Sequence, residues 1–241
     1  MKINDKTEVI DPSFTIITPK EWFPQYAEII EKCGRNCYKS EHRITETSAP
    51  QFIKNAINRK HLSIIEHLSI TVEITCSRSC SHQLVRHRLG SYSMESQRYI
   101  NYAKKGYKVI CPEHIFDNSE HAMELLRDKS VKLGGMKFVD ELYSDYNFEK
   151  WKKQIISAID RYEDLLSDRI KPEDARSVLP NAMATTVITT YNLSQWRHVF
   201  EERALNKSAQ KEIRTIMKNI LRKFNELLPD FFEDQFNLLE K

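Results

Sequence analysis

Glycine is scarce in this chain: five among 241 residues, at positions 34, 90, 106, 134 and 135. No subset has the spacing of a dinucleotide-binding fingerprint or a Walker loop. A bound phosphate must therefore be held by side chains and helix N-termini, not by a glycine cradle. Long hydrophobic runs are missing too. Nothing approaches the ~20 apolar residues that cross a bilayer, so no membrane contact is expected. The first residues lack the apolar core and cleavage site of a secretory signal, and the cysteine count of five is odd. Together these predict a cytoplasmic chain with reduced thiols. There is no CxxC pair, and Cys76, Cys80 and His82 have no evident fourth partner, so no metal is expected. Cys111 has nothing beside it that would lower its thiol pKa, and the nearby Glu113 raises it, which argues against covalent cysteine chemistry. An excess of one charge is absent as well. The 37 basic and 34 acidic side chains leave a formal net charge of +3 and are interspersed, which excludes a field broad enough for a nucleic-acid duplex.

What is present is a local concentration. Arg86 to Tyr99 contains three arginines, a histidine and three serines in fourteen residues. It follows Cys80-Ser81-His82-Gln83-Leu84-Val85, which is too apolar for plain surface. Guanidinium forks and hydroxyl donors at this density suit an anion attached to the polar edge of a small planar molecule. The alternative is a phosphate- or nucleic-acid-binding surface built on Arg86, Arg88 and Arg98, whose affinity would fall steeply with salt. If the preceding helix continued through the cluster, Arg86 and Arg88 would lie ~200° apart and serve different ligands or subunits.

Apolar spacing predicts a helix over Glu21–Tyr38, with Ala27, Ile30, Cys33 and Cys37 inward, and a second opened by Ser48-Ala49-Pro50. Leu68, Ile70, Val72 and Ile74 alternate with polar residues as in a half-buried antiparallel strand. Ser77 caps the helix carrying Cys80 and Leu84. A charged stretch with Gly134-Gly135 suggests a helical insertion around 117–149. A long amphipathic helix follows, with Ile155, Ile159 and Tyr162 on its apolar side, and then a short helix from Lys171-Pro172 that contains Arg176. Thr185–Tyr191 reads as a second strand, Asn192 as the cap of a helix reaching Arg203, and Ser208–Leu228 as the last long helix. The order of elements predicts an α+β fold, an antiparallel sheet with flanking long helices, in one domain spanning 1–241.

Arg86-His87-Arg88, seven residues and Ser96, continued by Gln97-Arg98-Tyr99, resembles the signature of the flavin-dependent thymidylate synthases. Further segments agree in order: Cys37-Tyr38-Lys39-Ser40, Ile65-Glu66-His67, Cys80 to Val85, Ala175-Arg176-Ser177-Val178-Leu179-Pro180, Asn192, and Trp196-Arg197-His198 through Arg203. The resemblance implies reductive methylation of dUMP to dTMP in dTTP biosynthesis. It further implies 5,10-methylenetetrahydrofolate as methylene donor, FADH2 as hydride source and NADPH as the reductant of FAD. It also implies a homotetramer with active sites between subunits, no cysteine nucleophile and no nucleic acid.

By position, the resemblance assigns dUMP to Gln83, Arg86, Glu95, Ser96, Gln97, Arg98, Arg176 and Arg203. Arg203 is the catalytic cation that favours loss of the uracil N3 proton and raises electron density at C5. FAD falls to His67, Ser69, Arg86, His87, Arg88, Met94, Asn192, Ser194 and His198. Three departures stand out: Met94 where relatives often carry Glu or Gln, Ser194 in place of an arginine seen in some, and a segment Ala204-Leu205-Asn206-Lys207 one residue longer than usual.

Overall fold

The computed structural model describes residues 1–116 and 136–241, with side chains of the helix beginning at Met136 described from residue 147 onward. The insertion expected around 117–149 thus lies outside the described residues as far as 135. From Met136 its backbone is helical. Among the described residues the strands are β1 Thr7–Val9, β2 Ser13–Ile16, β3 Ser69–Ser77, β4 Ser91–Met94, β5 Tyr107–Val109 and β6 Ala184–Asn192. The longer helices are α1 Tyr26–Asn36, α2 Ala49–Asn58, α3 Arg78–Leu84, α4 Met136–Ser167, α5 Leu193–Phe200, α6 Lys211–Leu227 and α7 Pro229–Leu239. No helix among the described residues is long and apolar enough to cross a membrane.

Two compact units form: Met1–Asp11 with Ser77–Ser79 and Glu95–Thr185, and Pro12–Cys76 with Cys80–Met94 and Thr186–Lys241. In the second, the sheet order is β2-β3-β6-β4. β2 pairs antiparallel with β3, and β4 with β6. Hydroxyls of Thr71 and Thr190 meet at 2.8 Å and those of Thr75 and Thr186 at 3.3 Å, so moving up β3 means moving down β6. Burial alternates along β3 as its sequence predicts, with Ile70, Val72, Ile74 and Cys76 all inward. Each such large apolar side chain contributes roughly 1.5–3 kcal/mol through removal from water. Against that face stand Ile30 of α1, Ile53 of α2, Trp196 and Phe200 of α5, and Phe224 of α6. The Trp196 indole N–H donates to the Ile70 carbonyl at 3.0 Å, so its one polar atom is satisfied inside the core.

The first unit holds a parallel pair, β1 with β5, and its core joins Tyr102, Tyr107 and Val109 to Ile155, Ile159 and Tyr162 of α4. The fold is α+β with a mostly antiparallel arrangement, as expected, and β1–β5 is the parallel exception. The structure also departs from the sequence reading in detail. Pro24 sits in a 3-10 turn over Lys20–Gln25, so α1 begins only at Tyr26. Cys37, expected on the apolar side, caps α1 and is exposed. β1, β2, β4 and β5 and helix α7 went unread. Strands of three or four residues carry too few positions for a period to show, and α7 is a second helix started by Pro229 directly after α6.

Candidate active site

Helix α3 ends at Leu84, and the chain turns through Val85-Arg86 before His87 and Arg88 adopt non-helical backbone. The ~200° argument for Arg86 and Arg88 therefore does not apply: no helix runs through them. Both guanidiniums are exposed, whereas His87 between them is buried, 7% accessible. Two tyrosines fix this turn. Tyr92 on β4 donates its hydroxyl to the His87 carbonyl at 2.5 Å, and it meets the Tyr191 hydroxyl at 2.6 Å. The Leu84 carbonyl lies within hydrogen-bond reach of both phenols, at 3.1 and 3.4 Å. Gly90 packs under the Tyr191 ring so closely that a Cβ there would collide with ring carbons.

Arg203 Nε donates to His87 Nε2 at 3.0 Å. That bond requires a lone pair on Nε2, hence a neutral imidazole with its proton on Nδ1. Burial, the neighbouring Arg203 charge and His198 together push the His87 pKa down to about 4, in agreement with that state. The His198 ring stands edge-on to His87, centroids 5.8 Å apart. Arg203 spends one donor on His87, and its two terminal nitrogens have no partner among the described residues, a guanidinium held at its root with its fork free.

A π-helical turn, Glu201–Leu205, makes this possible. Its hallmark is the i→i+5 bond from Asn206 N–H to the Glu201 carbonyl at 3.1 Å. In an α-helix a residue five beyond His198 would point ~140° away from it. The π turn departs from that regular spacing, and His198 and Arg203 both reach His87. The sequence segment read as one residue longer than usual overlaps this turn.

His67, Ser69, Asn192 and Ser194 come together through backbone contacts. The Leu193 N–H donates to the Leu68 carbonyl at 3.0 Å, which ties the start of α5 to the start of β3. Tyr26 donates its hydroxyl to the Ser69 carbonyl at 3.0 Å. Asn192 caps α5 as expected, its Oδ1 accepting from Gln195 N–H at 2.7 Å, which leaves its Nδ2 donors unused by the cap. Met94 ends β4 opposite Val187 and is 36% exposed. Gln83 donates through Nε2 to Gln210 Oε1 at the head of α6.

In the first unit, Arg98 and Arg176 converge on Glu173. An Arg98 terminal nitrogen is 3.5 Å from the Glu173 carboxylate, and Arg176 Nε donates to the Glu173 carbonyl at 3.0 Å. Glu95 accepts from the Tyr102 hydroxyl at 2.8 Å, and the Ser96 hydroxyl accepts from Arg98 N–H at 3.3 Å. Gln97 is half-buried beside them.

Sequence reasoning missed Tyr92, Tyr191 and Glu173. The tyrosines read as strand residues, and nothing in their neighbourhood signals a clamp on a turn. Cys111 is pushed up to about 12, which fits the absence of a thiolate nucleophile, but burial is the cause and not Glu113. Cys76 and Cys80 are buried among apolar side chains.

A family model described as thymidylate synthase complementing protein matches residues 20–230. The flavin-dependent thymidylate synthase of Pyrococcus furiosus is 34% identical over 197 residues, 81% of this chain and 70% of the relative. That of Mycobacteroides abscessus is 34% identical over 209 residues, 86% of this chain and 78% of the relative. Among solved structures, thymidylate synthase X from Helicobacter pylori with FAD and dUMP matches with TM-score 0.67 and 22% identity, over 95% of this chain and 100% of that one. A UMP/dUMP methylase from Streptomyces cacaoi bound with 5-Br dUMP matches with TM-score 0.70 and 22% identity, over 94% of this chain and 95% of the other. At such identities the structural likeness speaks for the fold, while the family model and the sequence relatives speak for descent. The chain belongs to the thymidylate synthase complementing protein family, that of the flavin-dependent thymidylate synthases.

Proposed function

We propose that this protein converts dUMP to dTMP, with 5,10-methylenetetrahydrofolate as methylene donor and NADPH as the source of electrons, as a homotetramer. The observation that carries the reading is the Arg203 fork, held by neutral His87 with its terminal donors free. A guanidinium fixed in this way stabilises negative charge on a uracil ring without reorganising as that charge develops. Arg203 favours loss of the N3 proton and raises electron density at C5, the carbon to be methylated. Each pK unit by which it shifts N3 corresponds to ~1.36 kcal/mol.

FAD supplies the hydride when bound. The donor set fits a flavin dinucleotide despite the lack of a glycine loop: exposed guanidiniums at Arg86 and Arg88 suit a pyrophosphate, and His87 has a proton on Nδ1 to offer. Neighbouring His67, Ser69, Asn192, Ser194 and His198 add neutral and titratable donors, and Met94 adds apolar contact. The resemblance assigns Gln83, Arg86, Glu95, Ser96, Gln97, Arg98, Arg176 and Arg203 to dUMP. Two or three charge-assisted hydrogen bonds at ~1.5–3 kcal/mol each approach the ~8 kcal/mol of micromolar affinity. The test is a visible spectrum. Purified protein reconstituted with FAD is expected to show flavin absorbance that NADPH bleaches faster when dUMP is present, and failure to take up flavin would remove the reading.

A further inference from the structure

A second, separate feature of the larger unit is a groove of about 1120 Å³ beside helices α1 and α2 and the 3-10 segment Leu62–His67. Its floor includes the half-buried Phe52 and Ile64, and no aspartate or glutamate lines it. Four exposed cations do: Lys39, Arg43, Arg59 and Lys60. None of the four has a carboxylate in ion-pair range among the described residues. The fifth, Arg35, is already neutralised, because buried Glu31 accepts from its Nε at 3.1 Å and its Nη2 at 2.8 Å.

Part of this charge has a local cause. Helix α1 ends with Ser40 N–H bonded to the Arg35 carbonyl and Lys39 N–H to that of Asn36; α2 ends in the same way, His61 to Ala56 and Lys60 to Ile57. Such endings need a residue with positive φ, normally glycine, yet here lysines take it, with φ of 49° and 59°. A cation at a helix C-terminus offsets the dipole by ~0.3–1 kcal/mol, which accounts for one cation per helix end. It does not account for Arg43 and Arg59 facing the same groove with no counter-charge, where each added cation raises the energy of the others.

We propose that this groove binds a multiply charged anionic tail joined to a flat apolar group, and that the tail belongs to a co-substrate of the reaction. The ring would lie against Ile64 and the part of Phe52 left open by the Arg35 guanidinium, which stacks 4.7 Å from the Phe52 centroid, and the tail would meet Lys39, Arg43, Arg59 and Lys60. The 3-10 segment runs from Leu62 at the groove to His67 at the candidate flavin site, five steps of ~2 Å, or roughly 10 Å. A molecule of co-substrate length spans that distance. The shared chemistry, several carboxylates or phosphates, has two sources: the oligoglutamate tail of a folate or the phosphates of NADPH. This assignment rests on the proposed reaction; anion binding in the groove does not.

The test uses calorimetric titration of the full chain with tripolyphosphate and with tetraglutamate, and compares the wild type with R43Q/R59Q/K60N. Asparagine tolerates the positive φ at position 60. The variant is expected to bind the preferred probe at least ~10-fold more weakly, while R43K/R59K keeps most of the affinity and the melting temperatures stay within about 4 °C of one another, the scale of a lost helix-end cation. If wild type binds neither probe, or the triple variant binds as wild type does, the groove is not an anion site. Steady-state kinetics then separate the sources. A KM rise confined to tetraglutamyl over monoglutamyl methylenetetrahydrofolate names the folate, and one confined to NADPH over NADH names the dinucleotide, with kcat unchanged in either case. Probe binding without any KM change overturns the co-substrate assignment. Probe binding in a protein that makes no dTMP retains the groove and rejects the reaction.

Discussion

Replacing Arg203 with lysine keeps the charge and removes the fork, so it separates a positioned guanidinium from a mere cation. The wild-type side chain gives Nε to His87 at 3.0 Å, and its two terminal nitrogens, without a partner among the described residues, are the donors proposed to meet the substrate. A lysine ammonium is a single point on a flexible stem and cannot occupy both places. Arg203→Lys therefore loses at least one charge-assisted hydrogen bond to the reacting ring, ~1.5–3 kcal/mol, or about 10- to 150-fold in kcat/KM for dUMP. The loss of the donor to His87 affects folding little. An unmet acceptor of ~1 kcal/mol shifts Tm by about 2–4 °C in a chain of this size. The assay is dTMP formation at saturating folate and NADPH, with flavin content and thermal melting measured on the same samples. Near wild-type kcat/KM in a flavin-loaded Arg203→Lys protein would refute the argument that the fork matters, and equal loss in a protein that has shed its flavin would leave only a structural role.

Tyr92→Phe removes the hydroxyl shared by the His87 carbonyl and Tyr191, at 2.5 and 2.6 Å, and is expected to lower Tm through the loss of ~1–2 kcal/mol; an unchanged melting curve would contradict the clamp. Acid stability follows from His87, whose pKa falls from the ordinary 6.5 to about 4. Between those values the unfolded chain takes up a proton that the native state refuses, so stability present above pH 6.5 is lost as pH falls toward 4. A His87→Gln variant is expected to show a flatter stability profile across that window in urea titrations. A profile as steep as wild type would assign the loss to other groups.

Much of the architecture is legible in local pattern. The alternation from Leu68 to Ile74 predicts an inward row; Ile70, Val72 and Ile74 are buried, while Leu68, just before β3, is only half-buried. Asn192 is a cap in the sequence and caps α5 in the structure, because a side-chain acceptor one residue before an apolar run has one obvious donor to satisfy. The basic cluster is equally visible, since composition alone shows where cations gather.

What composition could not show is which cation is held and which is free. In the sequence Arg86, Arg88, Arg98, Arg176 and Arg203 differ only in neighbours. The structure exposes Arg86 and Arg88, places Arg98 and Arg176 around Glu173, and roots Arg203 on a histidine 116 residues earlier in the chain. That last contact is made from within a π turn, a single change of hydrogen-bond register from i+4 to i+5. Residue type and periodicity, which rest on short-range sterics and on burial of one face, are written in the chain itself. The direction in which a side chain points after a register change, and the partner it meets across the sheet, are decided only when distant segments pack together.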